Sequence, residues 1–140
     1  MEVKKKFRIP EPLWRALKLG QRVAEAYGEY QAVYWRLTNT AAPPMGDKIV
    51  GAGGYDMYTS IGIKAEKLQR LRQQYDRAVR AASEIIERLE DARYRAVLTH
   101  RYIECMAPKE SAKASHYSVD WERTIHREAI KAFEREMAGR

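Results

Sequence analysis

The chain has 140 residues, 45% hydrophobic and 32% charged, with a formal net charge of +7 and a pI near 9.6. That length holds one proper core or two small helical subdomains. The single cysteine, Cys105, excludes an intrachain disulfide and suits a reducing cytoplasm.

No apolar run approaches the ~20 residues that a membrane span requires. The start, Met1 to Lys6, is basic but lacks the apolar stretch of a secretory signal. A cytoplasmic protein with no membrane partner is therefore expected. Ala, Arg, Glu, Lys and Leu dominate while Gly and Pro cluster in two places, which predicts an all-α chain. The basic excess suits nucleic acid or an acidic surface.

Residues 1–9 read as a basic arm carrying Lys4, Lys5, Lys6 and Arg8, a solvated tail or a phosphate-contacting one. Pro10 and Pro12 punctuate the opening of a first helix, the one place a helix tolerates proline. Leu13, Ala16, Gly20, Val23, Tyr27, Tyr30, Tyr34 and Leu37 then recur at steps of three and four. This is the seam of a helix packed along another, with the tyrosines in the core and their hydroxyls at its rim. Between about 38 and 56 the pattern fails. Asn39, Pro43, Pro44, Gly46, Gly51, Gly53 and Gly54 predict a flexible loop. Its glycines lack the following Gly-Lys-Ser/Thr of a phosphate-cradling loop.

A second long helix is expected from Asp56 or Ser60. Leu68, Leu71, Tyr75, Ala78, Ala82, Ile85 and Leu89 form its seam without a miss. Two like seams joined by a loop predict an antiparallel, coiled-coil-like hairpin over 10–90. The same seams are equally able to meet between chains, giving a homo-oligomer. Lys64, Lys67, Arg70, Arg72, Arg77 and Arg80 line the rest of the helix as a solvated or phosphate-facing surface.

The last segment, 91–137, reads as three short helices. Asp91 is placed to cap the first, which runs to about Tyr102 with Val97 and Leu98 inward. Pro108 opens the second, and Ser118 caps the third with Asp120 in its first turn. His116, in the turn, belongs to a residue type that tolerates positive φ better than most.

Read from Arg101 to Phe133, this segment resembles the C-terminal DNA-reading module of bacterial sigma factors (region 4 of the sigma-70 type). The matching residues are Arg101-Tyr102-Ile103-Glu104, Glu110, Ala112 and Ser118. It is closer still to small phage regulators of the ArpU and RinA type, which join such a module to a helical N-terminal part and often carry a Pro/Gly-rich interruption. The resemblance implies a helix-turn-helix whose last helix enters the major groove of duplex DNA. It also implies a phage or prophage transcription regulator, with RNA polymerase as a further partner.

The family pattern is broken at informative places. Cys105-Met106-Ala107 stands where relatives usually have Gly, Leu and Ser, and Ser111, Ala114 and Ser115 replace larger aliphatics. Glu122 and His126 occupy positions that are normally core-facing. The apolar line of the final helix runs instead through Trp121, Ile125, Ala129 and Phe133. Either the helix is rotated by about 100°, or Glu122 is buried against a base such as Arg101. An unpaired carboxylate costs too much to bury, so rotation is expected.

The family register exposes Asp120, Arg123, Thr124 and Arg127. The rotated one exposes Val119, Glu122, Arg123, His126 and Ile130, with Arg127 at the edge. Arg123 leads among the base-reading candidates, followed by Arg127, Thr124 and Asp120. Lys109, Lys113, Ser118 and Lys131 are the phosphate-contacting candidates.

His100, Cys105, His116 and His126 follow no metal-ligand spacing, and Cys105 has no evident base. No cofactor, metal or catalytic residue is expected. The residues thus predict a non-enzymatic DNA-binding regulator. Two other readings stand beside it: a module that has lost DNA reading and binds polymerase or another phage protein, and a small DNA-packaging (terminase-like) subunit.

Overall fold

The computed structural model describes residues 8–39 and 55–139. The protein is all-α, and its described residues contain no strand. Helix α1 spans Glu11–Asn39 and α2 spans Tyr55–Ile86, the two arms of a long helical hairpin. Helix α3 covers Ala92–Leu98 and continues into a π-helical turn, Thr99–Ile103. Helix α4 (Pro108–Ala114) and helix α5 (Val119–Ala138) complete the chain. Lys4 to Lys6 of the basic arm and most of the expected loop, including its glycines, lie outside the described residues.

Two compact units divide the chain. One combines the described residues up to Gly20 with those from Asp76 onward. The other is Gln21–Tyr75. The division expected from sequence fell at 90/91 instead. The reason for the difference is the core of the first unit. It gathers Leu13 and Ala16 from α1, Ala78, Ala82, Ile85 and Ile86 from α2, and Leu98, Tyr102, Ala129, Ile130 and Phe133 from the C-terminal segment. A seven-residue α3 or α4 has too little apolar surface to form a core without the long helices.

In the second unit the burial is thin. Ala26, Val33 and Leu68 are its buried hydrophobic residues, and Glu29 of α1 faces Lys64 and Lys67 of α2 at 3.8 and 3.6 Å. Tyr27 and Tyr34, expected in the seam, are instead exposed. The buried line there runs through Ala26 and Val33, each one residue before a tyrosine and so about 100° around the helix from it. Tyr30 stacks on Tyr34, with ring centroids 6.0 Å apart, and the Tyr27 hydroxyl accepts from Gln31 Nε2 at 2.9 Å.

The C-terminal helices are cut by local signals. The Asp91 carboxylate accepts the Arg93 backbone N–H at 2.8 Å and caps α3. It also pairs with the Arg93 guanidinium, whose hydrogen bond holds the carboxyl down at about 2. The π turn closes with Glu104 N–H donating to Thr99 O at 2.9 Å, and Cys105 then reverses the chain at φ 57°. Pro108 begins α4, where Glu110 reaches back to the Ala107 N–H at 2.9 Å. Ala107 has no side-chain acceptor to return the bond. His116, at φ 61°, makes the turn out of α4, and Ser118 Oγ accepts the Trp121 N–H at 3.1 Å to start α5. Helix α5 packs on both α3 and α4.

Candidate nucleic-acid interface

The orientation of α5 decides which of its side chains reach solvent, and the structure overturns the expected rotation. Glu122 is fully buried and His126 nearly so, while Trp121 is exposed. The inward line of α5 is Glu122, Ile125, His126, Ala129, Ile130 and Phe133. The carboxylate that was too costly to bury alone is not alone. Arg101 Nε and Nη2 donate to Glu122 Oε2 and Oε1 at 2.9 and 2.8 Å, a two-pronged pair. Such paired, charge-assisted bonds offset the desolvation that forbids a lone buried charge.

Burial alone would raise the Glu122 pKa. The hydrogen bonds from Arg101, helped by the adjacent Ser111 hydroxyl, outweigh it and leave the carboxyl below its ordinary value. Ser111 Oγ itself is fully buried and has no hydrogen-bond partner among the described residues.

One turn further along, the Tyr102 hydroxyl and His126 Nε2 lie 2.6 Å apart, with their rings stacked at 5.7 Å. Burial pushes Tyr102 up to about 12. Burial first, and then Arg101, pushes His126 down to about 4. A neutral imidazole hydrogen-bonded to a neutral phenol is the stable arrangement in such a place. Two adjacent residues of the π turn, Arg101 and Tyr102, thus hold two residues of α5 one turn apart, Glu122 and His126. Helix rotation is fixed at both points.

With that rotation set, Asp120, Arg123 and Arg127 are exposed and Thr124 is half-exposed along the outward side of α5. Asp120 organises its neighbours. It accepts from Arg123 Nη1 at 3.3 Å, and its backbone carbonyl accepts from Thr124 Oγ1 at 3.2 Å. Lys109 and Lys113 on α4, Ser118 at the cap and Lys131 further along α5 are all exposed. Val119 is half-buried, and Ile130 is buried, not exposed as the rotated register required.

Trp121, which the three-and-four spacing places on the apolar line, is instead exposed. No signal within the chain order marked it, because its exposure follows from the pairing of the neighbouring Glu122 with Arg101.

No family model matches the chain, and neither a curated protein nor a solved structure matches it. Among the described residues there is no group of three or more His, Cys, Asp or Glu able to hold a metal ion. No described helix is long and apolar enough to cross a membrane.

Proposed function

We propose that this chain is a DNA-binding regulator of transcription, of the phage or prophage kind suggested by its resemblance to ArpU- and RinA-type proteins. In this reading α4, the turn through His116 and α5 act as a helix-turn-helix, and α5 is seated in the major groove. One observation carries it: the inward anchoring of Glu122 and His126 leaves Arg123, Arg127, Thr124 and Asp120 directed outward from one helix.

Arginine pairs in bidentate fashion with guanine O6 and N7, and aspartate accepts from cytosine N4, so this is a base-reading set. Lys109, Lys113 and Lys131 are positioned for phosphates, and the Ser118 hydroxyl keeps a donor free for one while its oxygen caps the helix. The reading assigns no catalytic role to any residue.

The test is selection from a randomised duplex pool by the purified full-length protein, followed by binding at several salt concentrations. Enrichment of a defined site, with affinity falling steeply as salt rises, supports the reading. Unselective or absent retention at low salt defeats it.

A second reading draws on unit Gln21–Tyr75, where Tyr27, Tyr34, Trp35, Tyr58 and Ile63 are exposed. Exposed aromatics in this number suit protein contact. It favours RNA polymerase, another phage protein or a further copy of the chain as a partner, in place of DNA or beside it. Pull-down of polymerase by a protein that fails the duplex selection would select that reading. An assembly into a large ring would point to DNA packaging.

A further inference from the structure

Trp121 is the largest exposed side chain of the C-terminal helices, with 45% of its surface open. Its backbone N–H is spent on the Ser118 cap, whereas its indole Nε1–H makes no hydrogen bond among the described residues. Tryptophan is costly to leave in water, and its one donor usually finds a partner where the ring is covered. The cap also fixes the backbone from which the side chain leaves, so the indole projects from a rigid point.

Its angular position narrows the role. At about 100° per residue, the outward side of α5 is centred on Asp120, Thr124, Arg127 and Lys131. Trp121 lies at one border of that side and Arg123 at the other, about 160° apart around the axis. In a helix lying in a major groove, the central line faces base edges. The two borders lie nearer the two sugar-phosphate walls, from where a long arginine such as Arg123 still reaches base edges and a shorter, rigid indole does not.

We propose that Trp121 is a groove-wall contact of the interface. Its indole face lies against deoxyribose and its Nε1–H donates to a backbone phosphate, on the strand opposite the one nearer Arg123. The inference rests on the DNA-binding reading and adds to it a neutral, sequence-independent contact. Such a contact fixes the depth and tilt of α5 while releasing no counterion.

The experiment uses the full chain and the duplex recovered from the selection described above. Trp121→Ala is expected to weaken binding about tenfold at every sequence tested, with the same order of base preference and the same salt slope. Trp121→Phe keeps the ring and loses the donor, so it should fall between the two. Replacing single phosphates by neutral methylphosphonates should reveal one position whose change weakens the wild-type protein and leaves Trp121→Phe unaffected.

More than half of the Trp121 surface is covered, so Trp121→Ala should lower the melting temperature modestly and Trp121→Phe less, while both keep the wild-type helical spectrum at the binding temperature. A wild-type protein that does not bind duplex DNA removes the DNA reading and this inference together. Wild-type binding with an unchanged Trp121→Ala affinity removes the inference alone. So does a Trp121→Ala protein whose preference relaxes at a single base pair, since the side chain would then be reading a base.

Discussion

Arg101 and Glu122 lie 21 residues apart and meet through two parallel hydrogen bonds of 2.9 and 2.8 Å, with the carboxylate wholly removed from solvent. The pair joins the π turn to α5 at the first turn of the helix that carries the base-reading candidates. Its position makes it a rotational stop as well as an ion pair. Tyr102 and His126 supply the second stop.

Breaking the pair from either side should be severe. Glu122→Ala leaves a guanidinium largely shielded and unpaired, and a loss of about 3–5 kcal/mol is expected in urea unfolding. Arg101→Met with Glu122→Leu removes both charges together and should recover most of that loss. A double variant no more stable than Glu122→Ala would mean that the ion pair is not what limits stability here.

Acid should weaken the fold in two steps. His126 has its folded pKa lowered from 6.5 to about 4, so the unfolded chain binds its proton first. The stabilisation from keeping it neutral is complete above pH 6.5 and is lost as pH falls towards 4, at most about 3 kcal/mol. Glu122, also lowered from its ordinary 4.5, contributes above that value and loses its contribution below it. Thermal melts between pH 7 and 4 should therefore show a decline that His126→Gln flattens. Parallel curves for the two proteins would assign the decline elsewhere.

Cys105 and His116 hold φ at 57° and 61°, a conformation that L side chains adopt at a cost. Glycine takes it freely, and Cys105→Gly and His116→Gly should each leave stability unchanged or raise it by up to about 1 kcal/mol. His116→Val, with its branched Cβ, should lower it. Chemical denaturation of the three proteins checks the sign of each change. A stabilising His116→Val would show that the turn relaxes.

Gly28 lies within α1, and a Cβ added there meets nothing within 4 Å. Gly28→Ala should stabilise by about 0.5–1 kcal/mol through helix propensity and the reduced freedom of the unfolded chain. A lower melting temperature in this variant would imply that the space is occupied in solution.

On the selected duplex, Arg123→Ala or Arg127→Ala should cost about 1–3 kcal/mol and relax preference at one base pair. Lys109→Ala, Lys113→Ala and Lys131→Ala should weaken all sequences alike, each reducing the salt slope by about 1. An Arg123→Ala protein with unaltered affinity and preference would strip that residue of its assigned role. An unchanged slope would do the same for each lysine.

Much of the architecture was set by interactions within a few residues and so was legible in the sequence. The three-and-four spacing of α2, the caps at Asp91 and Ser118, the proline opening α4 and the positive φ of His116 all belong to this class. Each depends on a side chain and a backbone close by in the chain. Tyr27 and Tyr34 of α1 sit outside the contact because periodicity gives a spacing and not a phase: the buried Ala26 and Val33 keep the same seven-residue step one residue earlier.

The rotation of α5 is different in kind. By itself the sequence displayed a carboxylate and an imidazole on a helix with an apolar line beside them, and the cost of burying a lone charge argued for turning them outward. Only the tertiary structure brings Arg101 and Tyr102 across from the π turn to meet them. Whether a buried charge is tolerable depends on the distance and angle to its partner, and chain order does not encode either. That contact determines which face of α5 is left in solvent.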